Sequence, residues 1–490
     1  MSTEHPIRPI RRAGVPLAAF ETTDPALTIL ATVRALNGKA AEFPLLQWDI
    51  VRGLSGMNDL GNKFAGKFEP TETQNPVECL SRLAGDMPGN SIVFFHNGHT
   101  VLADPIARQA VWNLRDIFKA RGSLLVLLGP VFTLPAELKN DVVVISEPLP
   151  DLEEIKRIIT SITADAGLPA QSEETVNKAS DALLGLSAFA AEQCLAMGIT
   201  KAGIDLVGLW ERKRKMIEQT PGLKVWRGGE TFADIGGCSN VKEFMRDIAR
   251  GKRAPRAIAF VDEIEKSISG VGDTSGVSQD QLGALLTFMQ DKAAAGVIFI
   301  GPPGAAKSAI AKATGNETNI PTIQVDLGAM KGSLVGQSEQ QLRQALDVID
   351  AVSQGQTLFI ATCNSFGNLP PELKRRFTLG TFFFDLPSTE ERATIWSLYQ
   401  TRYSLGSQAL PSDSGWTGAE IKQCCDVAYR LGRSLVEAAK FVVPVAVSAA
   451  DKIDALRKQA SGKFIDASRS GIYQHTPPAP AQATGRKFTE

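Results

Sequence analysis

The chain has no apolar run of the roughly 20 residues that a membrane-spanning helix needs. It has no charge excess: 52 Lys and Arg face 53 Asp and Glu, so no global field argues for nucleic acid or a membrane surface. It has no Cys-x-x-Cys pair. Its cysteines, Cys79, Cys194, Cys238, Cys363, Cys424 and Cys425, read as reduced, mostly buried small side chains of a cytoplasmic protein. The basic residues of MSTEHPIRPIRRAG are followed by no apolar core, which argues against a secretory leader. His96 and His99, in HNGH, have no Cys or third His nearby, so a strand-end turn suits them better than a metal centre.

What is present is a globular composition, 43% hydrophobic and 21% charged, over 490 residues. That is too long for one core and implies two or more domains. Two stretches echo each other. LPAELK at 134–139 matches LPPELK at 369–374, and each follows an apolar strand, SLLVLLGPVF or TLFIATCNSF. Each precedes a second apolar strand ending in Leu-Pro, then an acidic helix start, DLEEI or STEER. Further on, GLSAFAAEQC faces GWTGAEIKQC. Four matches in one order point to two copies of one architecture.

Each copy alternates strands with helices and closes on a helical segment, which predicts an α/β fold with a parallel sheet and a helical lid. The expected layout is an N-terminal arm (1–14), an α/β domain (15–150) with its lid (151–220), a linker (221–230), a second core (231–387) with its lid (388–463), and a disordered Pro/Ala-rich tail (464–490).

The chemistry concentrates in the second copy. GVIFI runs into Gly301-Pro302-Pro303-Gly304-Ala305-Ala306-Lys307-Ser308 and then a helix starting Ala309-Ile310. Strand, glycine-rich loop and helix are the setting in which G-x-x-x-x-G-K-[ST] cradles phosphates on backbone N–H groups. Ala306 stands where the second glycine belongs, at the entry to the helix, where helical backbone angles would suit alanine. Lys307 would reach the β- and γ-phosphates of ATP, and Ser308 would ligate Mg²⁺.

AIAFVDEIEK ends an apolar strand in two acids. Asp262 would hold the metal through water, and Glu263 would orient and deprotonate the attacking water. Asn364, at the tip of TLFIATCN, would position that water. The first copy has no such loop, and SIVFFHNGH puts His96 and Asn97 where the acids belong; a neutral pair there cannot hold a metal.

These motifs together resemble the AAA+ ATPases, P-loop NTPases that have a DIGG segment ahead of the core. Here it reads TFADIGGCSNVKEF. The resemblance implies Asp234, Ile235, Gly236 and Gly237 at the adenine, and Gly418 and Ala419 of WTGAEI at the nucleotide. VGQSEQQLR is similar to another family segment. LPPELKRRF is similar to the segment bearing a trans-acting arginine finger; alignment on Phe377 makes that Arg376, with Arg375 the alternative. GDTSGVSQDQLGALLTFMQDK is similar to one subgroup, the AAA proteins of a conserved plastid and cyanobacterial reading frame, which also have a degenerate N-terminal copy.

There are departures. Thr378 to Thr381 hold no second arginine. The loop GSLVG offers Leu334 and Val335 where many relatives grip a polypeptide with an aromatic. The order also differs, because the acidic strand precedes the phosphate loop.

The family's sheet runs last strand, phosphate-loop strand, sensor strand, acidic strand, second strand. Moving the acidic strand and its helix to the front keeps every connection a parallel crossover, and right-handed connections remain available. The expectation is therefore two tandem AAA+-like modules, the first degenerate and the second circularly permuted. Its sheet should be ordered 381–386, 296–300, 357–361, 257–262, 321–326. The implied function is an ATP-hydrolysing homo-oligomeric ring, a hexamer, that remodels a protein substrate or an assembly. The alternatives are a nucleotide-gated scaffold and a DNA-handling loader, the last disfavoured by the balanced charge.

Overall fold

The computed structural model describes residues 5–22, 24–36, 41–132, 134–146, 149–201, 203–268, 277–330, 337–365 and 371–475. The chain divides into two compact units, one of residues up to 158 with 187–193, the other of 159–186 and 194 onward.

In the first unit the apolar runs form β1 (Leu17–Glu21), β2 (Leu45–Asp49), β3 (Gly53–Gly56), β4 (Ile92–Phe95), β5 (Leu124–Gly129) and β6 (Val142–Ser146). They pair in the order β3-β2-β4-β5-β1-β6, parallel except where β3 runs against β2. Both faces are covered. On β4, Val93 and Phe95 enter one core while Ile92 and Phe94 enter the other, which is why the strand reads as an unbroken apolar run. Leu80 and Leu83 of helix Pro76–Asp86 and Val111, Leu114 and Phe118 of helix Pro105–Arg121 fill the first core.

Ile7 and Ile10 enter the second core, so the expected arm is corrected: Ile7–Arg12 is a helix whose one-turn spacing buries both isoleucines. Between β1 and helix Pro25–Ala35 lie three residues, 22–24, where Asp24 accepts the Leu27 N–H as a cap at 3.0 Å. That gap is too short for a phosphate loop.

The second unit holds a two-residue ribbon of β7 (Ile199–Thr200) and β8 (Gly203–Ile204), then β9 (Leu223–Val225), β10 (Ala257–Val261), β11 (Ala295–Ile300), β12 (Thr322–Val325), β13 (Thr357–Cys363), β14 (Thr381–Phe383) and β15 (Ile465–Asp466). Its sheet runs β15-β14-β11-β13-β10-β12-β9, with β9 antiparallel to β12 and the rest parallel. The central five strands stand in the expected order. The acidic strand β10 pairs with β13 (Val261 opposite Ala361) and with β12 (Ala259 opposite Ile323), and not with β11, the next strand along the chain.

Three boundaries differ from expectation. Residues 159–186 and 194–220 group with the second unit rather than closing the first. The linker 221–230 contains β9, where Leu223 and Val225 turn inward around exposed Lys224, an alternation too short to stand out in sequence. The tail is ordered as far as 475. Ile465–Asp466 adds to β14, and Phe464, Ala467 and Tyr473 are buried around a turn in which Asp466 accepts the N–H groups of Ser468 and Arg469. Residues 476–490 lie outside the described residues.

The expected lid is helical, with its own core of Trp396, Trp416, Ile421, Cys424 and Cys425. The six cysteines are free, and all but half-buried Cys238 are buried. No described helix is long and apolar enough to cross a membrane.

Candidate functional site

At the end of β11 the chain turns at Gly301, where a Cβ would lie 2.1 Å from the Phe384 carbonyl oxygen; glycine is what lets the backbones approach. The loop then reaches Ala306, whose φ of +66° is left-handed. This corrects the expectation of helical angles there. The position favours glycine, and alanine holds it at a cost of about 1–2 kcal/mol.

Lys307 opens helix Lys307–Thr318 and folds beneath the loop. Its Nζ donates to the carbonyls of Gly301 (2.8 Å) and Pro302 (2.7 Å), and the residue is 6% exposed. Burial lowers its pKa to about 8, against the opposing pull of Glu265, Asp262 and Glu263.

The two acids leave β10 beside this loop. Asp262 Oδ1 accepts from Ser308 Oγ at 2.7 Å and from Thr362 Oγ1 at 2.6 Å. Glu263 sits at φ +48°, a strained conformation for glutamate, and its N–H donates to Thr362 Oγ1 at 2.9 Å. Its carboxylate accepts from Asn364 Nδ2 at 3.0 Å and pairs with Lys266. The Asn364 N–H donates to Glu265 Oε1 at 2.9 Å.

Thr362 thus ties both acids to the neighbouring strand, a role the sequence reading missed, as it missed Glu265. The available signal was two polar residues two apart, Thr362 and Asn364, ending an otherwise apolar strand on one face. Ser308, Asp262 and Thr362 bring oxygen atoms together, and an all-oxygen donor set suits a small divalent cation such as Mg²⁺.

A cavity of about 370 Å³ opens over these groups. Pro303 to Ala309 form its floor, Glu263, Thr362 and Asn364 one side, Ile235 to Cys238 the far wall, and Gly418 and Ala419 the lid side. Gly301 and Pro302 lie beneath the loop, and Asp262 sits behind Ser308.

Asp234 does not reach the cavity, which corrects its expected place at the base. Its carboxylate accepts from the N–H and hydroxyl of Thr231 at 2.8 and 3.1 Å, capping a short turn. Arg376 ends helix Pro371–Arg376 and donates to Gln290, away from its own chain's cavity; Arg375 beside it is exposed. Leu334 and Val335 lie outside the described residues.

Comparison with known proteins gives two domain matches. Residues 3–146 match the N-terminal domain of SpoVK-like AAA ATPases, and residues 297–354 match the ATPase family associated with various cellular activities (AAA). The second match begins on β11 and ends before β13, leaving β10 outside it. The AAA domain-containing protein ycf46 of Guillardia theta is 24% identical over 488 residues, covering 85% of this chain and 87% of that protein. Its namesake in Trieres chinensis is 24% identical, with 77% and 79% covered. That of Gracilaria tenuistipitata var. liui is 23% identical, with 81% and 87% covered.

Proposed function

We propose that this chain, which matches AAA ATPase domain models in both halves, hydrolyses ATP in the cavity above Lys307 and couples that turnover to remodelling a protein or an assembly. One observation carries this reading: a single hydrogen-bonded chain runs Ser308, Asp262, Thr362, Glu263, Asn364 along the cavity's edge, beside a buried lysine.

In this reading the loop N–H groups and Lys307 hold the phosphates. Glu263 accepts a proton from water, Asn364 keeps the carboxylate aimed, and the water oxygen bonds to the γ-phosphorus as its bond to the β–γ bridging oxygen breaks and ADP leaves. Ser308 and Asp262 would hold Mg²⁺, which supplies charge neutralisation on the phosphates when bound.

We read the second sheet as a permuted form of the family's core. Two facts support this. The first sheet has the same spatial plan with its strands in the family's chain order, and the AAA match covers β11 to helix Gln337–Ser353 without the acidic strand. The first unit is then a degenerate module.

The site would be completed in a homo-oligomeric ring, as a hexamer, by Arg376 of a neighbour; its position away from its own cavity supports action in trans. A slow, nucleotide-gated scaffold is the second reading, favoured by the uncharged stretch Thr378 to Thr381, where a second arginine is missing.

The test is a mixing experiment. Arg376→Ala and Lys307→Ala subunits should each be inactive alone and regain part of the turnover when mixed. Wild-type turnover by Arg376→Ala alone would remove that residue from the site. Stimulation of wild-type turnover by an unfolded protein favours the remodeller, flat turnover the scaffold, and stimulation by DNA a loader.

A further inference from the structure

The segment after the lid does more than end the chain. Residues 462–473 fold back on themselves, with the Tyr473 N–H donating to the Phe464 carbonyl and the Gly462 N–H to the Tyr473 carbonyl. Ile465–Asp466 extends the sheet beyond β14, and the Ala467 N–H donates to the Phe383 carbonyl at 3.0 Å. The turn is then held against the helix that follows the DIGG segment. The Val241 N–H donates to the Ala467 carbonyl (3.0 Å), Asn240 Nδ2 to the Asp466 carbonyl (2.6 Å), and Ser239 Oγ to the Ser468 carbonyl (2.6 Å).

This places Ser468 on the cavity wall, linked to Cys238 through Glu391, which also lines the cavity. Its hydroxyl donates to Glu391 Oε1 at 2.6 Å. The same oxygen accepts the Cys238 N–H at 3.1 Å, and Oε2 accepts the Ser388 N–H at 2.8 Å. One carboxylate therefore joins three separate stretches of chain: the DIGG loop, the first lid helix and the C-terminal segment. Burial opposes its ionisation, but the Ser468 hydroxyl and the two N–H groups outweigh that and hold it below the usual carboxylate range. Nearby, Tyr473 Oη and Arg457 both hold Asp385, another lining residue, at 2.7 and 2.8 Å.

We propose that the C-terminal segment 464–473 is a component of the nucleotide site, in which Ser468, acting through Glu391, is a positioning residue for the wall that receives the nucleoside. The proposal rests on the cavity being a nucleotide site. Among the described residues, the hydrogen bonds of Lys307, Ser308 and Asp262 in the phosphate half of the cavity share no partner with those of this segment, so the two halves should respond separately.

The experiment measures binding of ATP, adenosine and tripolyphosphate to the full chain by calorimetry. Ser468→Ala should weaken ATP and adenosine about tenfold, the loss expected for one hydrogen bond to a carboxylate. Tripolyphosphate affinity should stay within twofold, and Ser468→Thr, which keeps the hydroxyl, should restore ATP. Ala467→Pro, which removes the N–H bonded to Phe383, should undock the segment and weaken adenosine at least as much. A merely stabilising contact would lower the melting temperature without splitting adenosine from tripolyphosphate. Unchanged adenosine affinity in both Ser468→Ala and Ala467→Pro, with wild type binding normally, overturns the proposal. Absence of adenosine and ATP binding by wild type instead overturns the nucleotide-site reading beneath it.

Discussion

In the first sheet β4 runs out through His96 to Asn97; in the second β10 runs out through Asp262 to Glu263. Asn97 and Glu263 both have left-handed backbone, at φ +52° and +48°. Both strands lie second from an antiparallel edge, with one parallel strand between, and both have on their other side the strand that leads to a Leu-Pro segment. The backbone plan is shared, then, while the chemistry at the strand tip differs. Asparagine tolerates left-handed angles readily and glutamate does not. The first unit has the relaxed residue and the second the strained one. Strain at Glu263 persists because Thr362 receives its N–H and Asn364 and Lys266 hold its carboxylate.

Chain order is the other difference. In the first sheet the parallel strands stand in the order β2, β4, β5, β1 and β6, and the chain reaches β1 first of all, whereas in the second sheet the strand in the position of β4, the acidic β10, is reached before β11, the strand in the position of β1. A site made at the ends of parallel strands depends on which strands are neighbours, not on the order in which the chain reaches them.

The comparison can be broken at Lys307, which the first unit has no counterpart for. Its folded pKa, about 8, lies below the ordinary lysine value of 10.5. Between those values the unfolded chain holds a proton that the folded chain has lost, so stability rises with pH through this window. Relative to Lys307→Met, ligand-free wild type should gain about 3 kcal/mol from pH 8 to 10.5, read from urea unfolding. The difference between variants cancels Lys213, which burial also lowers to about 8. A flat difference would mean that Lys307 is not desolvated as described.

A smaller effect is expected at Thr362, which has no role at the neutral tip of β4. Thr362→Val removes the hydroxyl that ties Asp262 and Glu263 while keeping the shape. Turnover should fall about tenfold with ATP affinity nearly unchanged, measured by steady-state kinetics beside equilibrium binding. Equal turnover would leave Thr362 as packing alone.

The smallest effect sharpens the backbone half of the comparison. Glu263→Asn should stabilise the ligand-free protein by about 1 kcal/mol, and Asn97→Glu should destabilise it by a similar amount. Thermal unfolding of the two variants reads this directly; effects of the same sign would refute the shared strain.

Much of this was legible because it depends on continuous apolar runs. The central strands are mostly apolar stretches with the motif residues at their ends, so the grouping of Lys307, Ser308, Asp262, Glu263 and Asn364 followed from pattern and chemistry, while the order of the central five strands followed from the resemblance to the AAA+ sheet. What escaped was local geometry and short pairing. Ala306 is left-handed, which composition does not disclose. Asp234 satisfies the N–H and hydroxyl of Thr231, a competing local bond that a motif cannot rank. β9 and β15 are three and two residues long and gain their place from the sheet edges they join. The helix Ile7–Arg12 is too short to declare itself by periodicity and is held by two buried isoleucines.

The central claim is that acids placed before the phosphate loop in sequence serve that loop in space. It is tested most directly by Glu263→Gln, which keeps the hydrogen-bonding shape and removes the base. ATP binding by calorimetry should stay within a few-fold of wild type, while single-turnover hydrolysis slows by about 10²–10⁴-fold. Hydrolysis at the wild-type rate with ATP bound would contradict the account, because the base would then have to be a group other than the acid at the tip of β10.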